Sequence, residues 1–507
     1  MKQMFLSFLP VITSLCLAVS ANAGAATLQD FQRIPDTVTL FKNVNVFNGT
    51  EDMLHAVDVL VVKNKIHRVG KDLPTSGSWE IDVKTGGVTQ LTNPIGGLLE
   101  YSITAFDEVK TETRKVKVNV IDGGGRTLMP GLIDSHIHIN GYMKGNILSW
   151  QNTTWEEIGA RAAAMAQEKL MMGFTTVRDM CGAHEGLKKV IDEGTLPGPR
   201  IYLAGACLGQ TSGHGDWGFA GQQKGESNLE RLEITRVVDG RDEMMEGGRR
   251  NFSLGAHYLK VMVSGGVTSI KDPIYASQLS DDEVRAAVEI ADDWGSYVAV
   301  HVHQDIDICR ALDLGVKVID HALTISNSCM KLLVKKGAIF SPNLTALAPE
   351  ALLHPMHQNP DFPPTRKFMW LRNNSDKLID LMKKHKPITV FNSDYILLPG
   401  VPYRQALDFT KFNVAREFGN FWALQMMTVN GGKLAELTGP ENPYPEGKLG
   451  VIEEGAYADI LIVDGNPLED IGAIGGNSKW FDAEPRGQDL APIRLIMKDG
   501  RIYKNTL

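Results

Sequence analysis

From residue 131 to about 440, short apolar runs alternate with stretches of helical periodicity. No other feature of the 507-residue chain restricts its fold as much. Runs of strand character end near His138, Asp179, Ala206, Val263, His303, His321, Asn343 and Asp394. Thr154-x-x-Glu157 opens an Ala- and Met-rich stretch that Gly173 stops, and Ser280-x-x-Glu283 opens another that Gly295 stops. The Ser/Thr–Glu spacing is that of a helix capping box, and glycine marks a helix end. Each stop is followed within a few residues by an apolar strand. Eight strands separated by helical patterns predict an α/β fold, a parallel (β/α)8 TIM-like barrel. In that fold, reactive side chains gather at the C-terminal strand ends.

The ionisable residues at those ends point to chemistry. The stretch Leu128 to Ile139 reads LMPGLIDSHIHI. In a strand alternate residues share a face, so His136 and His138 point the same way, about 7 Å apart along the chain, close enough to share a metal centre. His301-Val302-His303 repeats the device, Lys260 stands inside an apolar run, and Asp320-His321 and Asn392-Ser393-Asp394 end two further runs. Taken singly, His321 reads as a core histidine, Asp394 as a helix cap and Lys260 as a lysine reaching for solvent. It is the set, converging on one barrel face, that chance does not supply. His184, His354, His357 and His385 stand in polar, loop-like or helical surroundings and read as surface residues. Arg178-Asp179 reads as a structural ion pair, Gly265-Gly266 as a place where the chain passes close to substrate or metal, and Cys181 as a small apolar filler.

The flanks have a different character. Lys2, the apolar run Met4 to Ser20 and Ala21-Asn22-Ala23 form a signal peptide over 1–23 with cleavage after Ala23, which predicts a periplasmic or secreted mature protein with no membrane span. Residues 24–130 and 441–507 are β-rich, and the two ends are expected to meet in a small β-sandwich flanking the 131–440 barrel. Residues 76–115 read as an inserted β-hairpin or meander, and Asp499-Gly500 as a hairpin turn. The net charge of −8 argues against a nucleic-acid or anionic-membrane surface. Five scattered cysteines, one of them inside the signal, do not predict a disulfide scaffold.

PGLIDSHIH at 130–138, GFTTVRDM at 173–180, TSGHGD at 211–216, YLKVMVSGGVTS at 258–269, VAVHVH at 298–303, KVIDHA at 317–322, NSD at 392–394 and ADILIVDGNPLEDI at 458–471 together resemble the amidohydrolase superfamily. The resemblance covers nearly the whole mature chain. It is to the branch that contains Xaa-Pro dipeptidases, Xaa-Lys/Arg carboxypeptidases and fungal ochratoxinases. It implies a β/α barrel, a flanking β-sandwich and two divalent metal ions, zinc in most members, about 3.5–4 Å apart. By that resemblance His136 and His138 bind one metal and His301 and His321 the other. Lys260, carboxylated, bridges both. Asp394 binds the first metal and moves the proton from the attacking hydroxide to the leaving amine nitrogen. His303 and His214 are the candidates for substrate contact. A homo-oligomer is expected by analogy. The chain departs from the usual pattern at Ala322 and at Cys181, where glycine is common, at Asn392-Ser393, where Gly-Thr is common, and in the 76–115 insertion.

The reaction expected is hydrolysis of an amide or peptide bond in a small carboxylate-bearing substrate, a dipeptide or N-acyl amino acid. The alternative is a cyclic amidohydrolase resembling imidazolonepropionase. A deaminase fits less well, because Gln304 and Asp305 stand where those members carry a glutamate. A binding protein with dead chemistry would lack Lys260 or Asp394, and both are present.

Overall fold

The computed structural model describes residues 34–85, 110–145, 147–354 and 357–507. The signal segment and the tip of the 76–115 insertion lie outside the described residues. Both chain ends build one mixed sheet. Across it run Arg501–Asn505, Ile493–Lys498, Ile460–Val463, Lys110–Pro130, Val38–Val46, Asp58–Val62 and Lys65–Gly70. Along Val38–Val46, Val38 and Leu40 pack in one apolar cluster and Phe41, Val44 and Val46 in another, with an irregularity between Lys42 and Val44; the strand runs parallel to the long strand from Val38↔Val118 to Val46↔Leu128. The insertion begins and ends as an antiparallel pair, Ser78–Thr85 against Lys110–Lys117. Asp499 (φ +55°) and Gly500 (φ +71°) form the tight turn read from the sequence, both in the left-handed region that a two-residue hairpin requires. The described residues give this unit as a continuous sheet.

The long strand leads through Pro130 directly into the α/β part. There the strands form two parallel arcs. One contains Leu132–Ile137, Phe174–Asp179 and Arg200–Leu203. The other runs Thr235–Val237, Cys207–Gly209, Leu259–Met262, Val298–Val302, Val318–His321 and Ile339–Ser341. The single third strand expected to end at Ala206 is thus two pieces, broken at Gly205, whose φ of +70° turns the chain from one arc to the other. The Thr235–Val237 strand was not anticipated. Backbone hydrogen bonds join the arcs on both sides. His257 donates to Leu203 (2.7 Å), while Phe340 donates to Ile388 (2.9 Å), Val390 to Phe340 (3.0 Å) and Ser135 to Phe391 (2.9 Å). Residues 388–394, read as an eighth strand, make these bonds with only one isolated bridge.

Helices cover the arcs. Ser280 and Glu283 form the full capping box, whereas Thr154 caps its helix alone and Glu157 turns to Arg161 instead (2.7 Å). The core fills the space between helices and strands, with Leu132, Phe174, Val261, Val300 and Ile319 fully buried. The described cysteines pair, a point that their spacing leaves open. Cys181–Cys207 and Cys309–Cys329 are disulfides with Cα atoms 5.1 and 5.2 Å apart. Spacing could not reveal them, because each pair is brought together by neighbouring strands or helices rather than by a local motif.

One buried cation ties the sheet to the α/β part. Arg200, fully buried at the start of its strand, donates through Nε to Asp459 (3.1 Å) and through Nη2 to Asp499 (2.6 Å), between the rings of Tyr444 and Tyr457. Removing one partner of a buried charged cluster leaves the others unpaired, at a cost of about 3–5 kcal/mol. Arg200→Met is therefore expected to lower stability by that amount, read as a fall in unfolding midpoint. A change below about 1 kcal/mol would show that the tie carries no load.

Candidate functional site

Five elements deliver the site. The His136-x-His138 pair leaves the Leu132–Ile137 strand, Lys260 sits in Leu259–Met262, His301 and His303 end Val298–Val302, His321 ends Val318–His321, and Asp394 follows the 388–391 segment. The structure brings all of them to one cavity of about 230 Å³, with His214 among its lining residues. The Asp394 carboxylate is the meeting point. Its Oδ1 lies 3.2 Å from His138 Nε2 and 3.4 Å from His136 Nε2, and its Oδ2 lies 3.7 Å from His321 Nδ1. Donor atoms of His136, His321 and Asp394 fall within 4.8 Å of one another. The His301 ring is 4.6 Å from that of His321 and 4.9 Å from that of His303.

The backbone is bent to this end. His321 (φ +66°), Ala322 (φ +47°) and Asp394 (φ +51°) all lie in the left-handed region, which non-glycine residues adopt only when their surroundings impose it. This explains why glycine is common at position 322. Asp394 is held there by its own amide, which donates to the carbonyl of His136 (3.0 Å).

Beneath the histidines lies a charged network that sequence reasoning missed. Asp320 accepts from Lys260 Nζ (2.6 Å) and from Arg178 Nη2 (2.8 Å), and its Oδ1 is 3.2 Å from His136 Nδ1. Arg178 also donates from Nε to the carbonyl of Ser135 (2.5 Å). The expected Arg178–Asp179 pair does not form. Neighbours in a strand point to opposite faces, and Asp179 instead accepts the amides of Ile139 (2.7 Å) and Ala183 (3.0 Å). That the opposed faces of adjacent strand residues forbid the pair was available from the sequence; the true partner was not.

Burial and charge set the protonation states. Burial holds the Lys260 amine below its usual range, although Asp320 opposes this. Burial also lowers His138, His301 and His321, and it pushes His303 down to about 3, so these imidazoles keep a free lone pair at neutral pH. His136 differs. Burial disfavours its charged ring, but the carboxylates of Asp394 and Asp320 outweigh burial and raise its pKa. Burial would raise Asp394, yet the surrounding imidazoles, His136 foremost, keep it well below the carboxylate range. A partly exposed carboxylate among histidine rings is a nitrogen and oxygen donor set suited to divalent cations such as zinc. The Nδ1 of His303 is buried and has no hydrogen-bond partner among the described residues.

His214 reaches the same cavity from the Gly-His-Gly-Asp loop. Its ring stacks on His301 at 4.1 Å, and its Nδ1 lies 2.8 Å from Ser269 Oγ and 3.4 Å from Asp272 Oδ2. Gly266 is what allows this, since a Cβ there would lie 2.0 Å from the His214 ring. The close approach expected at Gly265-Gly266 is thus made to His214 and, for Gly265, to the carbonyl of Pro273. His354 and His357, read as surface residues, line the cavity too, and Cys181 and Cys207 contribute their disulfide to it.

The comparisons with known proteins agree with this geometry. The description "Amidohydrolase family" matches residues 127–503. The ochratoxinase of Aspergillus niger is 29% identical over 391 residues, 74% of this chain and 75% of that protein. A prolidase solved in complex with N-methylphosphonate-L-proline superposes with a TM-score of 0.72 at 27% identity, over 92% of this chain and 100% of that one. The crystal structure of A. niger ochratoxinase superposes with a TM-score of 0.70 at 24% identity, over 92% and 96% of the two chains, a likeness of fold. With three quarters of its length matched by the family and the donor residues meeting in one cavity, this chain belongs to the amidohydrolase family and is a hydrolase acting on carbon–nitrogen bonds.

Proposed function

We propose that the protein hydrolyses an amide or peptide bond in a small carboxylate-bearing substrate, a dipeptide or N-acyl amino acid, with two divalent metal ions, zinc in our reading. The observation that carries this is the Asp394 carboxylate set among His136, His138 and His321 above the Lys260–Asp320 pair. In this reading the two arcs close as an eight-stranded barrel. His136 and His138 hold one cation with Asp394, and His301 and His321 hold the other. When bound, the cations supply an acidified water and polarise the scissile carbonyl.

The chain's own residues do the rest. Lys260, whose amine burial favours in the neutral form, would add carbon dioxide with loss of a proton to give a carbamate, whose oxygens would help hold the cations. A carbamate nitrogen keeps one hydrogen, so the bond to Asp320 survives the modification, and Arg178 offsets the added negative charge. Asp394 accepts the proton of the attacking water on a carboxylate oxygen and returns it to the leaving amine nitrogen. His303, whose Nδ1 has no partner among the described residues, and His214, which lines the cavity, receive the substrate's carbonyl or carboxylate. Among the described lining residues there is no arginine and no lysine but Lys260. That observation favours the second reading, an imidazolonepropionase-like lactam or imide hydrolase, since a neutral scissile ring needs no cationic partner. A panel of dipeptides and N-acyl amino acids against cyclic imides separates the two.

We also place the mature protein in the periplasm or outside the cell, on the signal at 1–23. Two disulfides suit an oxidising compartment. No helix among the described residues is long and apolar enough to cross a membrane. A homo-oligomer remains the expectation from analogy.

Lys260→Ala should lose one of two equivalents of bound metal together with nearly all turnover, and Asp394→Asn should lower kcat by about 10²–10⁴. Metal analysis and amide-hydrolysis rates read both; full metal and full activity in Lys260→Ala would reject the assignment. Proton and cation compete for the His136 ring nitrogen, whose pKa is raised. Metal content after dialysis should therefore fall as the pH drops through that raised value and recover above it. Content that stays constant down into the carboxylate range would place the cation elsewhere.

A further inference from the structure

Asp134 precedes His136 by two residues, is fully buried and stands apart from the donor cluster. Its two carboxylate oxygens have different partners. Oδ2 accepts from the ammonium of Lys169 (2.5 Å). Oδ1 accepts two backbone amides, those of His136 and of Ser393 (3.3 Å each). One oxygen thus joins the segment that opens the α/β part to the segment that carries Asp394, although Ser393 lies 259 positions beyond Asp134. Backbone bonds run between the same two segments. The amide of Ser135 donates to the carbonyl of Phe391 (2.9 Å), and that of Asp394 to the carbonyl of His136 (3.0 Å).

Lys169 reaches Asp134 from the last turn of the helix Trp155–Met171. It is fully buried, with Nζ 4.5 Å from the centre of the Phe174 ring and 5.3 Å from that of Tyr403. The adjacent Glu168 is engaged by Arg404 (2.6 Å), and Lys169 is bonded to Asp134. Burial lowers the Lys169 amine, and Asp134 opposes this.

A buried ion pair gives little net stability over an apolar pair of the same volume. What this pair supplies is direction. With Oδ2 held by the ammonium, Oδ1 is left facing the two amides. Both amide bonds are long, and a charged acceptor makes such bonds about twice as strong as a neutral one. They act next to Asp394, whose φ of +51° persists only because its surroundings impose it.

We propose that Lys169, acting through Asp134, is a positioning residue for the cation site. It clamps the backbone of His136 to that of Ser393 and so sets the distance between the His136 ring and the Asp394 carboxylate. The proposal rests on the reading above that these two groups hold one cation. The clamp touches neither cation nor substrate. Its loss lets the two donors drift apart, and the site then closes less tightly on the ion. Lys411 provides an internal comparison. It is also fully buried, with Nζ 5.2 Å from the centre of the same Phe174 ring, but it donates to the carbonyl of Ile474 (2.9 Å).

The test titrates zinc into the metal-free protein against a competing chelator and records the unfolding midpoint of each variant. Lys169→Met should weaken zinc binding by about 10–100-fold, the usual cost of losing a group that orients a ligand. Asp134→Asn keeps the volume and one oxygen but turns an N–H group toward Lys169, and it should weaken zinc binding too. Lys411→Met removes a buried charge from the same ring. It should lower the unfolding midpoint and leave zinc affinity within about 2-fold of wild type. Affinity within about 2-fold of wild type in Lys169→Met overturns the proposal. So does an equal loss in Lys411→Met, which would make the effect a general loosening. If Lys169→Met does not fold, Asp134→Asn decides by the same limits. A wild type that binds no zinc tells against the cation reading instead, and amide hydrogen exchange followed by mass spectrometry then decides. Residues 132–138 and 388–394 should exchange about 5-fold faster in Lys169→Met than in wild type. Equal exchange overturns the proposal.

Discussion

The site depends on one buried carboxylate. Asp320 has no exposure to water, and burial alone would drive it to its neutral form; Lys260 and Arg178 hold it ionised instead. Three elements are fixed by this single group: the strand carrying Lys260, the strand carrying Arg178, and the His136 imidazole at the start of the α/β part. With one imidazole nitrogen facing Asp320, the other is turned toward Asp394. An outer carboxylate that fixes a histidine's orientation is a common support for a ligand ring. Here the same carboxylate also positions the buried lysine.

Above that network the geometry is imposed by backbone rather than by side chains. His321, Ala322 and Asp394 occupy left-handed conformations that cost about 1–3 kcal/mol each where the residue is not glycine. The stable sheets and the apolar core around them hold this strain in place. Asp394 is aimed by the hydrogen bond from its own amide to His136, so the carboxylate and the first histidine pair are registered to each other directly.

Much of this was legible in the chain. Parity alone places His136 with His138 and His301 with His303, because strand side chains alternate. The alternation of capped helices and apolar runs gave the α/β class and the elements that carry Lys260, His321 and Asp394. What could not be read were partnerships across the arcs. Asp320 finds Lys260 only across an intervening strand and Arg178 only across the two arcs. His354 and His357 stand in a polar stretch, and nothing local says that the stretch folds over a cavity. Trp480 is more than 80 residues from Asp394 in sequence, and only the path of one connecting segment brings its ring to the same space. The disulfides were hidden for the same reason. The expected Arg178–Asp179 pair failed for the opposite one, since adjacency in a strand separates side chains.

The tie through Arg200 bears on how the molecule is made. Its two carboxylates, Asp459 and Asp499, flank the last strands of the terminal sheet, whose first strands are built from residues up to 130. During synthesis the opening strands wait, unpaired along one edge, while more than 300 residues emerge. The donor cluster around Asp394 can assemble before then, but its anchorage to the sheet cannot. The nascent chain thus carries the donor cluster on a support whose sheet is completed only by residues beyond 458.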